Sequence, residues 1–279
     1  MRFKAIAMAS LAAAALMAAG CGEKKEQKML VLYYSQTGNT KAVATEIATR
    51  LGAETEEIVS LNPYDGDFRQ TIDRCLQERE QGILPEVKPL EKDLKDYDVI
   101  FLGYPVWFGT FAPPVIALLD KVSLAGKKVV PFCTFGSGGL DSSVKDLEAK
   151  QKDAQILPGY GVRAARMDAV PREVERFLIQ SGFLEGDYTA PAPFPEQHPV
   201  SEEESAILDQ AVAGYPMMNP SAVSCASREV ADGTEYLFTA EDKPRDGAPA
   251  PAPAFGPRQI HITVLVEPGK TPVFTQVVR

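Results

Sequence analysis

The chain has 279 residues and carries 29 Lys and Arg against 38 Asp and Glu, a formal net charge of −9. With 45% hydrophobic and 24% charged residues it can bury a core, which excludes wholesale disorder, and its length fits one large domain or two ordinary ones. An acidic balance without a dense basic block argues against a nucleic-acid partner, and two histidines with no Cys-x-x-Cys or His-x-x-x-His spacing argue against a zinc site.

The first segment reads as a targeting signal. Arg2 and Lys4 precede an Ala-rich run from Ala5 to Ala19, too short for a confident membrane span. The run ends at Ala18-Ala19-Gly20-Cys21, which resembles a bacterial lipobox with Ala18 in place of the usual Leu. Residues 1–21 are therefore expected to be a lipoprotein signal with Cys21 as the lipidated residue, and 22–28 (GEKKEQK) a solvated tether. That places the chain on the outer side of a bacterial membrane, held by lipid. Export leaves Cys75, Cys133 and Cys225, an odd set that allows at most one disulfide and reads as three buried small hydrophobes.

From Met29 onward, short apolar runs alternate with helix-period stretches, the pattern of a parallel sheet covered on both faces. MLVLYY (29–34), DVIFLGYPV (98–106) and KKVVPFCTF (127–135) are continuous apolar runs, as buried parallel strands require. An edge strand is expected over Glu56–Leu61 and a fifth strand near Gly161–Arg166. Helices are expected after residue 40, closing at Gly52; over 67–81, with Phe68, Ile72, Cys75 and Leu76 on one side; over 112–122; from Ser142 to Lys150; and over Arg172–Gln180. Residues 185–200, with Pro191, Pro193, Pro195 and Pro199, read as an extended linker that ends a domain spanning 29–184. The stretch 201–279 reads as a small α+β domain. It has a helix over Glu202–Ala213, strands at 222–230, 234–240, 259–266 and 272–278, a Pro/Ala-rich loop over 244–257 and a hairpin turn at Pro268-Gly269-Lys270.

Three loops carry chemistry. SQTGNT (35–40) lies where a buried strand gives way to a helix, whose start presents unpaired N–H groups and the positive end of the dipole to a phosphate. Ser35, Thr37 and Thr40 add hydroxyls and Gly38 lets the backbone turn closely; the competing reading is a Ser/Thr-rich helix cap. GYPVWFGTFAPP (103–114) sets three large aromatics in a Gly/Pro-framed loop, to meet a flat ligand or to pack in the core. TFGSGG (134–139) lets backbone amides approach a ligand, and Phe135 stands where a nucleophile elbow needs glycine. In an open parallel sheet, ligands sit beyond the carboxyl ends of strands where the strand order reverses, which is where all three loops lie.

On these motifs and their spacing, residues 29–184 resemble the flavodoxin family. The resemblance implies a doubly wound five-stranded α/β sheet of order 2-1-3-4-5, FMN bound without covalent attachment, and electron transfer with protein partners or a small acceptor. It implies that Ser35, Gln36, Thr37, Gly38, Asn39 and Thr40 hold the phosphate. Pro105, Val106, Trp107 and Phe108 would flank the flavin ring, Trp107 stacking on it, and Thr134, Phe135, Gly136, Ser137, Gly138 and Gly139 would line its pyrimidine side. No catalytic acid or base and no metal is implied. Residues 201–279 weakly resemble the cystatin-like fold, without its inhibitory Gln-x-Val-x-Gly, since Val230-Ala231-Asp232-Gly233 has one residue too many and Arg228 replaces Gln. That part reads as a packed accessory module or a partner-docking surface.

The functional expectation is a membrane-anchored, FMN-dependent electron carrier. An NAD(P)H- or quinone-linked reductase on the same site, and a surface binding module on a flavin-free scaffold, are the alternatives. For the anchor, Cys21→Ala should leave an unprocessed, heavier chain that no longer fractionates with membranes; an unchanged mature mass and membrane fraction would remove the lipobox reading.

Overall fold

The structure, a computed structural model, describes residues 27–243 and 258–278. The expected signal, Cys21 and the 244–257 loop lie outside the described residues. In chain order the first part contains β1 (Met29–Tyr33), α1 (Asn39–Leu51), β2 (Glu54–Glu57), α2 (Phe68–Gln81), β3 (Val99–Trp107), β4 (Thr110–Phe111), α3 (Pro113–Leu119), β5 (Lys128–Phe135), α4 (Leu140–Lys150), β6 (Gln155–Ile156), β7 (Tyr160–Arg163) and α5 (Val170–Gln180).

The apolar runs are continuous because the strands are buried on both faces. Along β1, Leu30 and Leu32 enter one core with Ile100, Leu102, Val115 and Leu147, while Val31 and Tyr33 enter the other with Val43, Ile47, Phe101, Val174 and Leu178. Successive side chains of a strand point to opposite faces, so each face needs its own layer of helices. α1 and α5 supply one and α3 and α4 the other.

The sheet runs β2-β1-β3-β5, and both β6 and β7 pair with β5. Apart from the short antiparallel pairing of β3 with β4, all the pairings of β1, β3 and β5 are parallel, which is the 2-1-3-4-5 order with the fifth strand in two pieces. The break falls at Leu157-Pro158-Gly159, since a proline cannot donate to the ladder. β7 ends at Arg163, short of the expected Arg166, and passes into a 3₁₀ segment, Ala164–Ala169.

Two further expectations are adjusted. The edge strand lies at Glu54–Glu57, nearer Gly52, and the residues expected to extend it turn away so that Ser60 bridges Val87 in antiparallel sense. Helix α2 has its start at Asp67, whose side chain accepts from the Gln70 N–H in a capping box, yet it buries Thr71 and Cys75 and leaves Phe68 77% exposed. Its apolar stripe is therefore narrower than its sequence suggested.

The C-terminal part contains β8 (His198–Pro199), α6 (Glu202–Val212), β9 (Pro220–Val230), β10 (Gly233–Asp242), β11 (Arg258–Val266) and β12 (Val273–Val278). Its strands form an antiparallel sheet ordered β12-β11-β10-β9-β8. Helix α6 begins with a capping box between Ser201 and Glu204, and three glutamates in its first turn suit the positive end of its dipole. Leu208, Ala211 and Met218 pack on Phe238, Ile260, Ile262, Val264 and Phe274, a core separate from the two above.

The segment expected to be a linker is extended but fastened. Its last residues become β8, Gln197 accepts from the Ser224 and Thr239 hydroxyls, and the Arg228 guanidinium lies 4.1 Å from the Phe194 ring centroid. Proline-rich chain lacks N–H groups for a ladder of its own, so side chains of the sheet hold it. Cys75, Cys133 and Cys225 are all buried free thiols, as the small-hydrophobe reading expected.

Because Leu32 is fully buried in the central strand, Leu32→Ala should cost about 2–5 kcal/mol of stability, read from the urea midpoint. A cost below about 1 kcal/mol would show that the central sheet is not tightly packed.

Candidate functional site

Register decides where the loops leave the sheet. Tyr33 pairs with Gly103, and Tyr104 and Pro105 pair with Cys133 and Thr134, so β1, β3 and β5 end side by side. Their loops, 35–38, 108–109 and 136–139, open at the same edge.

In the first loop, Gly38 is the N-cap of α1 at φ 91°, a left-handed conformation that a side chain resists. No side chain caps this helix at Gly38, and a Cβ there would meet open space. Ser35 Oγ accepts from the Lys41 N–H at 3.2 Å, while the N–H groups of Gly38, Asn39 and Thr40 have no acceptor among the described residues. Helix capping thus uses one serine and leaves a cluster of donors facing outward, with Thr37 and Gly38 exposed. Lys41, in the first turn of α1, is paired with Glu57 at 3.1 Å.

Two side chains of the first loop have structural partners. Gln36 Nε2 donates to the Tyr64 carbonyl at 2.8 Å and to Thr71 Oγ1 at 2.9 Å, tying the loop to α2. The Thr40 and Thr134 hydroxyls bond each other at 2.8 Å in a buried position, which joins the first and third loops directly.

The second loop is a hairpin that the sequence did not reveal. Trp107 pairs with Thr110 across the two-residue turn Phe108-Gly109, with φ 52° and 83°. Positive φ at both turn residues is the type I′ geometry, which favours Asn-Gly and penalises an aromatic residue. Phe108 is nevertheless 53% exposed there. A bulky residue held in a left-handed conformation and also kept in solvent is not explained by packing.

Trp107 is half-buried. It meets Tyr34 edge-on at 6.1 Å and Tyr64 edge-on at 5.1 Å between ring centroids, and the Arg74 guanidinium covers the Tyr64 ring at 3.8 Å. Burial pushes the Tyr34 phenol up to about 12 and raises that of Tyr64, whose hydroxyl also donates to Glu78 Oε2 at 2.5 Å. Tyr34 and Tyr64 are site residues that sequence reasoning missed; Tyr64 arrives from a turn far along the chain, with no local signal. Beside them, Pro105 and Val106 are half-buried, and Val106 packs against Gly139.

The third loop divides by depth. Thr134 and Phe135 are buried, Phe135 within the core, whereas Gly136 is exposed and Ser137, Gly138 and Gly139 are half-buried. Ser142 Oγ donates to the Gly109 carbonyl at 2.5 Å, binding the start of α4 to the hairpin. On its outer side the loop meets the C-terminal sheet, where the Val277 N–H donates to the Ser137 carbonyl at 2.6 Å; from the end of β7, Arg163 Nε donates to the Gly136 carbonyl at 2.8 Å.

The donor set suits a phosphorylated, flat, partly polar molecule. Uncapped helix N–H groups and hydroxyls lie at one end, aromatic faces on one side and a glycine-rich backbone on the other. Among the described residues no group of His, Cys, Asp and Glu is placed to hold a metal.

The flavodoxin family pattern matches residues 28–175. Among solved structures, a candidate flavoprotein from Bacteroides eggerthii has a TM-score of 0.50 at 26% identity, covering 56% of this chain and 98% of its own. A flavoprotein from Lactobacillus acidophilus in complex with FMN has a TM-score of 0.44 at 29% identity, covering 48% of this chain and 93% of its own. The C-terminal sheet lies beyond the family match. With that match spanning more than half its length, and with this strand order and loop placement, the chain belongs to the flavodoxin family.

Proposed function

We propose that the crevice between the three loops binds FMN and that the protein carries electrons at the outer face of a bacterial membrane, held there by diacylated Cys21. The observation that carries the reading is the start of α1, where a glycine N-cap and three N–H groups without acceptors lie beside an aromatic hairpin in a chain of the flavodoxin family. Bound FMN would supply one- or two-electron redox chemistry, and the protein's own contribution is to bind and orient it.

Each loop has a share. The Ser35–Thr40 loop holds the phosphate through backbone N–H groups and the Ser35 and Thr37 hydroxyls, while Gln36 and Thr40 brace it. Trp107 and Phe108 flank the ring, with Pro105 and Val106 setting the floor beside them. The backbone of 136–139 meets the ring's polar edge. The acidic surface disfavours added negative charge on the flavin and so lowers its potential. The expected partner is a redox protein or a small electron acceptor.

Titration with FMN, followed by the emission of Trp107, the single tryptophan, tests the reading. Emission should fall, and FMN should bind far more tightly than riboflavin, which forfeits charge-assisted hydrogen bonds of about 1.5–3 kcal/mol each. Gly38→Val should weaken FMN binding, because a β-branched residue strains the left-handed backbone at φ 91° and shifts the turn. Equal affinity for both flavins would end the phosphate assignment. Oxidation of NAD(P)H by the loaded protein without a partner would replace the carrier with a reductase.

A further inference from the structure

The third loop is shared between two parts of the molecule. β12 is the edge strand of the C-terminal sheet, and its outward Val277 N–H is spent on the Ser137 carbonyl. The approach is close enough that a Cβ at Gly138 would stand 2.2 Å from the Val277 carbonyl oxygen, so only glycine fits there while the sheet is docked.

Arg163, at the end of β7, completes the contact. Its Nε donates to the Gly136 carbonyl at 2.8 Å and its Nη1 to the Phe274 carbonyl at 2.9 Å, and its guanidinium lies 3.3 Å from the Phe274 ring centroid. Arg163 is 7% exposed. One buried cation thus bridges the loop and the C-terminal sheet. Farther out, Arg172 pairs with Asp232 and with Glu267, and Arg176 pairs with Asp232, fastening α5 to two turns of the C-terminal sheet.

Peptide planarity turns this docking into a statement about the crevice. In a trans peptide unit the carbonyl of one residue and the N–H of the next point in opposite directions, and the described chain has no cis peptide. With the carbonyls of Gly136 and Ser137 drawn toward Arg163 and β12, the N–H of Ser137 points away from the Arg163 guanidinium and that of Gly138 away from β12. Neither has an acceptor among the described residues. A loop with three glycines in four residues would otherwise sample many orientations, and the docked sheet removes that freedom before a ligand arrives.

We propose that the C-terminal domain is a working part of the flavin site: through Val277 and the positioning residue Arg163 it fixes two backbone donors of the third loop for the polar edge of the flavin ring. The proposal rests on the FMN reading above. Docking and flavin binding are then linked, and each strengthens the other by the same factor.

The test uses the full chain with Asp232→Ala and Glu267→Ala together, which removes the outer ion pairs without touching any loop of the crevice. Small-angle scattering reports docking, and fluorescence titration reports affinity for FMN and for riboflavin. The expected result is a looser particle that binds both flavins about fivefold or more weakly, by one common factor, and tightens again at saturating FMN. A loosened particle with unchanged flavin affinity would overturn the proposal. If the double variant stays compact, Val277→Pro removes the donor to Ser137 directly; weaker binding of both flavins then supports the proposal, and unchanged binding overturns it. A wild-type chain that takes up no FMN would instead overturn the functional reading and this inference with it, a result the variants cannot imitate.

Discussion

Parallel pairing of β1, β3 and β5 is the constraint on which the rest depends. Because the three central strands run the same way, each must return through a helix, and every turn from strand to helix falls at one edge of the sheet. Three loops from distant parts of the sequence are thereby gathered without any of them having affinity for the others. The Thr40–Thr134 hydroxyl bond closes the gap between two of them, and Ser142 ties the hairpin to the start of α4.

On the function proposed above, this arrangement would let an acidic protein accept an anion. The chain spends its cations elsewhere, on Glu57 from Lys41, on Glu78 from Arg74 and on the C-terminal turns from Arg172 and Arg176. What remains for the ligand is backbone, and a helix start supplies oriented N–H groups whose partial charge does not depend on titration. The aromatic hairpin adds contact area without adding charge, so the crevice combines polar ends with an apolar wall.

How much of this was legible in the sequence follows the range of the forces involved. β1, β3 and β5 are continuous apolar runs, and burial on both faces has no other local signature. The helix starts at Asp67 and Ser201 carry their own capping residues. The loops that open at the sheet edge were visible because glycine and hydroxyl residues follow strands directly. The hairpin of β4 was not, since Phe108-Gly109 lacks the Asn-Gly pair that usually announces such a turn. Gln36 reads as a ligand residue, and the bonds of its side chain to Tyr64 and Thr71 could not be read beside it, because those partners come from tertiary folding. Arg163 was invisible for the same reason: an arginine at a strand end reads as surface until Phe274, 111 residues later, is brought over it.

The edge of a β-sheet is a row of unpaired donors and acceptors able to recruit another chain, and the C-terminal sheet has two such edges. One is β8, two residues long and ending in Pro199, too short and too poor in N–H groups to template a neighbour. The other is β12, where the bond from Val277 to Ser137 occupies a donor that would otherwise point into solvent. The glycine-rich loop therefore shields a sheet margin that belongs to a different part of the chain. Separation of the two halves would open this margin to self-association, a hazard that grows with local concentration and would be most acute for chains crowded together on a surface.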